Sequence, residues 1–195
     1  MKIVLASANR GKLAELNALL IPLGIHIESQ TAMGIRPLAE ERTTFIENAL
    51  DKARHASRQS GLAALADDSG LVVPMLGGAP GIRSARYAGE QEDAGANNAK
   101  LIAALGDSER PAAHFYCALV YLRHPDDSAP LLATARWDGV VVREPRGQGG
   151  FGYDPHFYLP DLGCTAAELP AAEKNRSSHR GRAMAALLEQ LRGEV

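Results

Sequence analysis

Two adjacent aspartates, Asp67 and Asp68, stand at the end of an apolar run and are followed by Ser69 and Gly70. Neighbouring carboxylates repel each other unless a cation or a proton lies between them. Carboxylate oxygens suit Mg²⁺, which takes one or two such ligands and keeps its waters and substrate phosphates. One aspartate would then bind metal or act as a base, while Ser69 donates to a phosphate. The alternative is an Asx-turn closed by Gly70, and the segment alone favours neither.

A second acidic pair, Glu40 and Glu41, precedes a predicted helix. Carboxylates at this place are stabilised by the positive end of the helix dipole, which is the preferred interpretation for the pair taken alone. The functional alternative is a second carboxylate arm that reaches the same metal as the aspartates.

A polar segment between a predicted strand and a predicted helix has the features of an anion site. Its residues are Ser7, Ala8, Asn9, Arg10, Gly11 and Lys12. Backbone N–H groups at a helix start lack intrahelical partners and attract anions. Asn9 can donate to a phosphate oxygen and Lys12 supplies a positive charge, although the P-loop pattern G-x-x-x-x-G-K-[ST] is absent. A helix cap with a surface lysine is the alternative.

Two loops late in the chain have residue types that recognise a nucleobase. The first is glycine-rich and ends in Phe151, Gly152, Tyr153 and Asp154, so that either aromatic ring could stack on a base. The second, residues 173–182, is rich in donors, among them Lys174, His179 and Arg180. The alternatives are aromatics that fill the core and a solvated connection before the last helix. Together with the carboxylates and the anion segment, these loops supply the parts of a metal–nucleotide site.

The elements that must position these residues alternate between strand and helix. Apolar runs predict strands at 3–6, 62–66, 115–122 and 131–142, with 71–73 as a further piece after the aspartates. Helical spacing predicts helices that end at Gly24 and Gly61, at 96–105 and at 182–191. Thr44 and Glu47 form a capping box for the second helix. This order indicates an α/β protein.

Size and charge narrow the possible functions. With 195 residues the chain fits one domain, and a net charge of -2 provides no general attraction for nucleic acid or an anionic membrane. Two cysteines, Cys117 and Cys164, lack the spacing of a zinc site, and Cys117 lies in an apolar run typical of a buried strand. We expect a cytoplasmic protein, because the first apolar run is too short for a signal peptide and no run could span a membrane.

Six motifs in order along the chain resemble those of the inosine triphosphate pyrophosphatase family. They occupy residues 7–12, 45–49, 66–71, 77–87, 149–155 and 178–181. The resemblance implies a mixed α/β fold with an elongated central sheet flanked by helices, and a single domain over residues 1–195 with two lobes around a central cleft. It also implies hydrolysis of ITP, dITP and XTP to the monophosphate and pyrophosphate with Mg²⁺ as cofactor, by a homodimer that clears deaminated purines.

The resemblance also assigns roles by position. Asp68 would be the proton acceptor and a metal ligand, and Glu40 the second metal ligand. Residues 7–12 would hold the triphosphate, and Ser69 would touch the substrate. The base pocket would be shaped by Phe151, Gly152, Tyr153, Asp154, Lys174, His179 and Arg180. The family often has Thr-Gly where this chain has Ser7 and Ala8, and the roles of Asp67 and Glu41 stay open.

Two competing functions remain. A pyrophosphatase for pyrimidine or modified nucleotides, of the Maf-like kind, is disfavoured by the donor-rich loop at 174–180. A regulator that binds nucleotides without hydrolysing them is disfavoured by the adjacent aspartates, which binding alone would not need.

Overall fold

The structure is a computed structural model that describes residues 2–90 and 93–192. In these residues seven strands form one sheet in the order β2-β1-β3-β4-β5-β6-β7. The strands are β1 (Lys2–Leu5), β2 (His26–Ser29), β3 (Ala64–Val72), β4 (Ala112–Leu122), β5 (Leu131–Val141), β6 (Phe157–Leu159) and β7 (Cys164–Thr165). Strand β1 pairs in parallel with β2 and β3, whereas β6 is antiparallel to β5 and β7. The sheet is therefore mixed.

The described residues also form five α-helices, which confirm the α/β class. They are α1 (Arg10–Leu20), α2 (Phe45–Ser60), α3 (Ala94–Ala104), α4 (Ala171–Ser177) and α5 (His179–Arg192). The predicted capping box of α2 is present, because Glu47 N donates to Thr44 Oγ1 and that hydroxyl donates to the Glu47 carboxylate. The helix ends at Gly61, whose φ of 69° places it in the left-handed region that glycine adopts without steric cost.

Contacts divide the chain into two compact units. Of the described residues, the first unit comprises 2–68, 117–135 and 180–192, and the second comprises 69–90, 93–116 and 136–179. The expectation of a single domain with two lobes stays a prediction.

In the first unit, alternate side chains of each strand enter different apolar clusters. Ile3 and Leu5 pack in the cluster that contains α1 and α5, whereas Val4 packs with the alanines of α2. This alternation follows from the period of two in a strand. Ala49, Ala53 and Ala56 recur at helical spacing and are fully buried, so α2 lies close to the sheet through its smallest side chains.

The second unit has a core that is richer in aromatic rings. Phe115, Trp137, Tyr153 and Phe157 are buried there together with aliphatic side chains of β3 and α3. Ring centroids of Phe115 and Phe157 lie 4.6 Å apart, and those of Trp137 and Phe157 lie 5.5 Å apart, in tilted geometries that aromatic pairs prefer.

One local alternative is wrong. Strand β3 runs without interruption through Asp67, Asp68, Ser69 and Gly70, so these residues form no Asx-turn. Buried neighbours on both sides of the aspartates hold the backbone extended.

The solvated connection considered for residues 173–182 is also wrong, because α4 and α5 cover that stretch and Lys174, His179 and Arg180 are buried. None of the described helices is long and apolar enough to cross a membrane.

Candidate active site

Asp67 is the most enclosed carboxylate of the first unit. It has no exposed surface, forms an ion pair with Lys12, and accepts from Arg180 Nε at 3.0 Å and from Cys117 Sγ at 3.2 Å. Burial alone would raise the pKa of Asp67, but the charges of Arg180 and Lys12 outweigh it and hold that pKa well below its usual range. Asp67 therefore stays ionised, and its ion pairs hold Lys12 and Arg180 in position.

Asp68 faces a different set of groups, because side chains of consecutive strand residues point to opposite faces. Lys52 Nζ lies 3.3 Å from Asp68 Oδ1 and 2.5 Å from Glu40 Oε1. The ammonium also donates to the Asp67 carbonyl at 2.9 Å. Glu40 from the loop before α2 and Asp68 from β3 thus both contact the Lys52 ammonium, which brings the two carboxylates close together.

The ionisation of Asp68 differs from that of Asp67. Burial raises the pKa of Asp68 above its ordinary value, and the charges of Lys52 and Lys12 only partly oppose this. A carboxylate with a raised pKa accepts a proton more readily, which suits a general base. Burial also lowers the pKa of Lys52, yet Asp68 and Glu40 outweigh it and raise that pKa, so the lysine stays charged.

A cluster of ion pairs surrounds Asp67 and Asp68. It links the carboxylates Glu15, Glu40, Asp67 and Asp68 with the cations Lys12, Lys52 and Arg180. Asp68 Oδ2 is buried and has no hydrogen-bond partner among the described residues, while the Glu40 side chain keeps 26% of its surface exposed. These two observations fit an additional cation that binds Glu40 and Asp68 together.

The donor set suits Mg²⁺ better than a metal held entirely by protein. Among residues 2–90 and 93–192, no group of three or more His, Cys, Asp or Glu side chains is arranged to hold a metal ion. Two carboxylates that leave other positions to water and phosphate match the usual coordination of Mg²⁺.

The predicted anion segment forms the start of α1. Asn9 is the N-cap, and its Oδ1 accepts from Lys12 N at 3.0 Å. Ser7 Oγ accepts from Asn9 N at 3.2 Å. Ala8, Asn9 and Arg10 are exposed, while Lys12 is half-buried because its ammonium reaches Asp67. An anion can therefore approach the free N–H groups of the helix start while Lys12 stays anchored beside the carboxylate cluster.

The second unit contains a separate group of predicted site residues. Asp154 and Lys174 form a buried ion pair at 2.7 Å, and Asp154 also accepts from Phe151 N at 2.7 Å. The Lys174 ammonium lies 4.9 Å from the centroid of the Phe151 ring. At Gly150, with φ of 69°, a Cβ would collide with Asp154 and Lys174, so only glycine fits there. Phe151, Asp154 and Lys174 are thus brought together.

The two aromatic residues of the glycine-rich loop differ in accessibility. Tyr153 is buried in the core, where its hydroxyl donates to Ser84 O at 2.8 Å and burial raises its pKa. Phe151 is 36% exposed. Only Phe151 presents a ring that is available to stack on a base, and Gly152 beside it accepts a hydrogen bond from Asn98 Nδ2 at 3.0 Å.

His179 and Arg180 are consecutive but have different surroundings. The His179 ring is buried in the second unit and stacks on Phe115 with centroids 4.8 Å apart. Arg180 lies in the first unit, where its guanidinium binds Asp67 and Glu15. The base contact predicted for Arg180 stays a prediction. Ser69, the next residue of β3 after Asp68, is half-buried.

Sequence reasoning missed Lys52, Glu15 and Asn98. A signal for Lys52 was present, because it lies within the alanine face of α2 between Ala49 and Ala56. A lysine on a buried helix face needs a carboxylate partner. Glu15 and Asn98 occur on helices at positions that ordinary polar surface residues also occupy, so the sequence gives no such signal for them.

A comparison with known protein families finds a match over nearly the whole chain. The sequence model of the Ham1 family matches residues 3–190.

The chain belongs to the Ham1 family.

Its Ham1 relatives include proteins named dITP/XTP pyrophosphatase. The protein of Ralstonia nicotianae is 58% identical over 195 residues, which cover 98% of this chain and 96% of that protein. The protein of Escherichia coli O157:H7 is 52% identical and covers 98% of both chains. These matches confirm the family that the six motifs predicted.

Solved Ham1 structures have the same fold. A HAM1 protein from Coxiella burnetii is 46% identical with a TM-score of 0.89, and the Ham1 protein of Staphylococcus aureus is 36% identical with a TM-score of 0.87. Both comparisons cover 100% of each chain.

Proposed function

We propose that this chain hydrolyses ITP, dITP and XTP to the nucleoside monophosphate and pyrophosphate, with Mg²⁺ as cofactor. The observation that carries this proposal is that Glu40 and Asp68, from separate segments, share the Lys52 ammonium in the unit where Lys12 lies in the first turn of α1. The relatives named dITP/XTP pyrophosphatase support the choice of substrate.

The start of α1 binds the triphosphate. The N–H groups of residues 10 and 11 and the Asn9 side chain donate to phosphate oxygens, and Lys12 offsets the charge of the leaving pyrophosphate. Glu40 and Asp68 would hold Mg²⁺, which would supply positive charge to the phosphate oxygens.

Asp68 acts as the general base. It takes a proton from a water whose oxygen bonds to the α-phosphorus, while the bond to the bridging oxygen of pyrophosphate breaks. Asp67 does not suit this role, because Arg180 and Lys12 hold its pKa well below its usual range. Ser69 contacts the substrate from the next position of the strand.

Selection of the base depends on donors that match a carbonyl at C6. Inosine and xanthine carry this oxygen where adenine has an amino group. Lys174, His179 and Arg180 supply the donors, Phe151 stacks on the ring, and Gly152, Tyr153 and Asp154 shape the loop around it. A site built around such a hydrogen bond rejects the wrong analogue by ~10⁴ or more.

We further propose that the protein is a single-domain homodimer of the cytoplasm that binds neither nucleic acid nor membrane. The lack of a large net charge supports the absence of nucleic-acid and membrane binding.

One assay tests the proposal. Pyrophosphate release is measured with ITP, XTP, GTP, ATP and a pyrimidine triphosphate, with Mg²⁺ and with EDTA. We expect Mg²⁺-dependent pyrophosphate release that is fastest with ITP or XTP. A preference for ATP would refute the donor arrangement. A preference for the pyrimidine nucleotide would favour the Maf-like alternative, and binding without release would favour a regulator.

A further inference from the structure

The loop that carries Glu40 is held against α2 by three side chains of that helix. Asn48 Oδ1 accepts from the backbone N of Arg42 at 3.0 Å. Asp51 Oδ2 accepts from Arg42 Nε at 2.6 Å. Lys52 Nζ donates to Glu40 Oε1 at 2.5 Å. Positions 48, 51 and 52 share one helix face, so α2 fixes both the backbone and the carboxylate of this loop.

Asn48 differs from Asp51 and Lys52 because one polar atom of its side chain makes no hydrogen bond to the described residues. The residue is 2% exposed, and its Nδ2 has no hydrogen-bond partner among the described residues. Burying an N–H donor without an acceptor costs free energy that an apolar side chain would avoid. An acceptor that arrives with the ligand would recover this cost.

The position of Asn48 indicates where that ligand lies. Asn48 is one helical turn before Lys52, and residues four apart on a helix are neighbours on its surface. Lys52 binds Glu40 and Asp68, the two carboxylates of the cation site. The Asn48 amide therefore lies on the same face of α2 as Lys52, which contacts these carboxylates.

We propose that Asn48 is a positioning residue of the cation site. Its Oδ1 holds the loop so that Glu40 reaches the cation, and its Nδ2 donates to an oxygen of the bound metal–triphosphate. This inference rests on the proposed function, since it names a further residue of the same site.

Two variants separate the two halves of the side chain. Asn48→Leu removes both the acceptor and the donor, and Asn48→Asp keeps the acceptor for Arg42 N while replacing the donor. Binding of Mn²⁺ to the protein without nucleotide is measured by electron paramagnetic resonance of the free ion, and KM for ITP is measured with pyrophosphate release. Arg58→Met is the matched control, because it removes an exposed ion pair with Asp126 from another part of α2 and leaves the contacts of the Glu40 loop in place.

The expected results differ between the variants. Asn48→Leu weakens Mn²⁺ binding and raises KM, each about tenfold, as loss of a hydrogen bond of ordinary strength implies. Asn48→Asp binds Mn²⁺ no more weakly than wild type but raises KM about tenfold. Arg58→Met matches wild type in both measurements.

Either of two results overturns the proposal. One is wild-type Mn²⁺ affinity in Asn48→Leu, and the other is wild-type KM in Asn48→Asp. If Asn48→Leu does not fold, the KM of Asn48→Asp decides. Failure of the proposed function itself is distinguishable, because the wild-type protein would then release no pyrophosphate from ITP or XTP.

Discussion

Each unit of this protein buries an aspartate against a lysine, but the two arrangements differ in charge balance. In the second unit Asp154 forms an ion pair with Lys174 and also accepts from Phe151 N. In the first unit Asp68 shares Lys52 with Glu40, and its Oδ2 has no hydrogen-bond partner among the described residues.

We expect this difference to separate a carboxylate that shapes a loop from the one that we propose as the general base. A buried ion pair fixes the local geometry, because removal of either partner leaves an uncompensated buried charge that destabilises the fold. A buried carboxylate oxygen without a hydrogen-bond partner among the described residues can receive a metal ion or a proton. The predictions below test this distinction, beginning with the largest effect.

The first prediction concerns the acceptor of the first unit. Asp68→Asn retains the shape of the side chain but removes proton acceptance, so turnover of ITP should fall about 10²–10⁴-fold. The measurement is pyrophosphate release at saturating ITP and Mg²⁺. Asp127→Asn, a buried aspartate of the β4–β5 connection, is the control with wild-type turnover. Near-normal turnover in Asp68→Asn would remove Asp68 from the base role.

The second prediction concerns the balanced pair. Lys174→Met leaves the Asp154 carboxylate buried without its cation, so the free energy of unfolding should fall by about 3–5 kcal/mol. Urea unfolding measures this loss. Glu40→Gln, which changes a partly exposed partner of Lys52, should cost about 1 kcal/mol or less.

A double variant checks the cause of that loss. Lys174→Met combined with Asp154→Asn removes both charges, so most of the lost stability should return. If the double variant is as unstable as Lys174→Met alone, the packing of the lysine stem rather than its charge stabilises the loop.

The comparison also explains which features the sequence could predict. Strands at 115–122 and 131–142 and the capping box of Thr44 and Glu47 depend on local patterns, and the structure confirms them. The turn alternative at Asp67–Gly70 failed because local polarity resembles a turn, while burial by neighbouring segments keeps β3 extended.

The site was predictable only in part for a similar reason. Asp68, Glu40 and Lys12 carry the residue types that metal–phosphate chemistry needs, so they could be named from the chain. Lys52 joins Glu40 to Asp68 only through contacts between α2, β3 and a loop. The alanine face of α2 marks Lys52 as a buried lysine but does not show which carboxylates it contacts. The choice between Phe151 and Tyr153 likewise depended on which ring the core buries.

The third prediction concerns the loop of the second unit. Asn98→Leu removes the donor to the carbonyl oxygen of Gly152, the residue that follows Phe151. KM for ITP should rise about three- to tenfold, as loss of one hydrogen bond implies, with little change in kcat. Ala99→Leu places the same side chain at an exposed position of α3 and serves as the control. An unchanged KM in Asn98→Leu would show that α3 does not hold this loop.

The fourth and smallest effect concerns pH. Burial favours a higher pKa for Asp127, but hydrogen bonds from the backbone N–H groups of Arg123 and Ala129 and from the Arg123 side chain lower it below 3.8. A lowered folded-state pKa gives stability that is present above pH 3.8 and is lost as pH falls below it. Thermal unfolding from pH 5 to pH 2 should therefore depend less on pH in Asp127→Asn than in wild type. Equal slopes would contradict the lowered pKa.

The most direct test of the cation site is equilibrium binding of Mn²⁺ without nucleotide to wild type, Glu40→Gln, Asp68→Asn and Asp127→Asn. If Glu40 and Asp68 hold the metal together, wild type and Asp127→Asn will bind one ion per chain, and both other variants will bind it at least about tenfold more weakly. Wild-type affinity in Glu40→Gln or Asp68→Asn would contradict a metal site made by these two carboxylates.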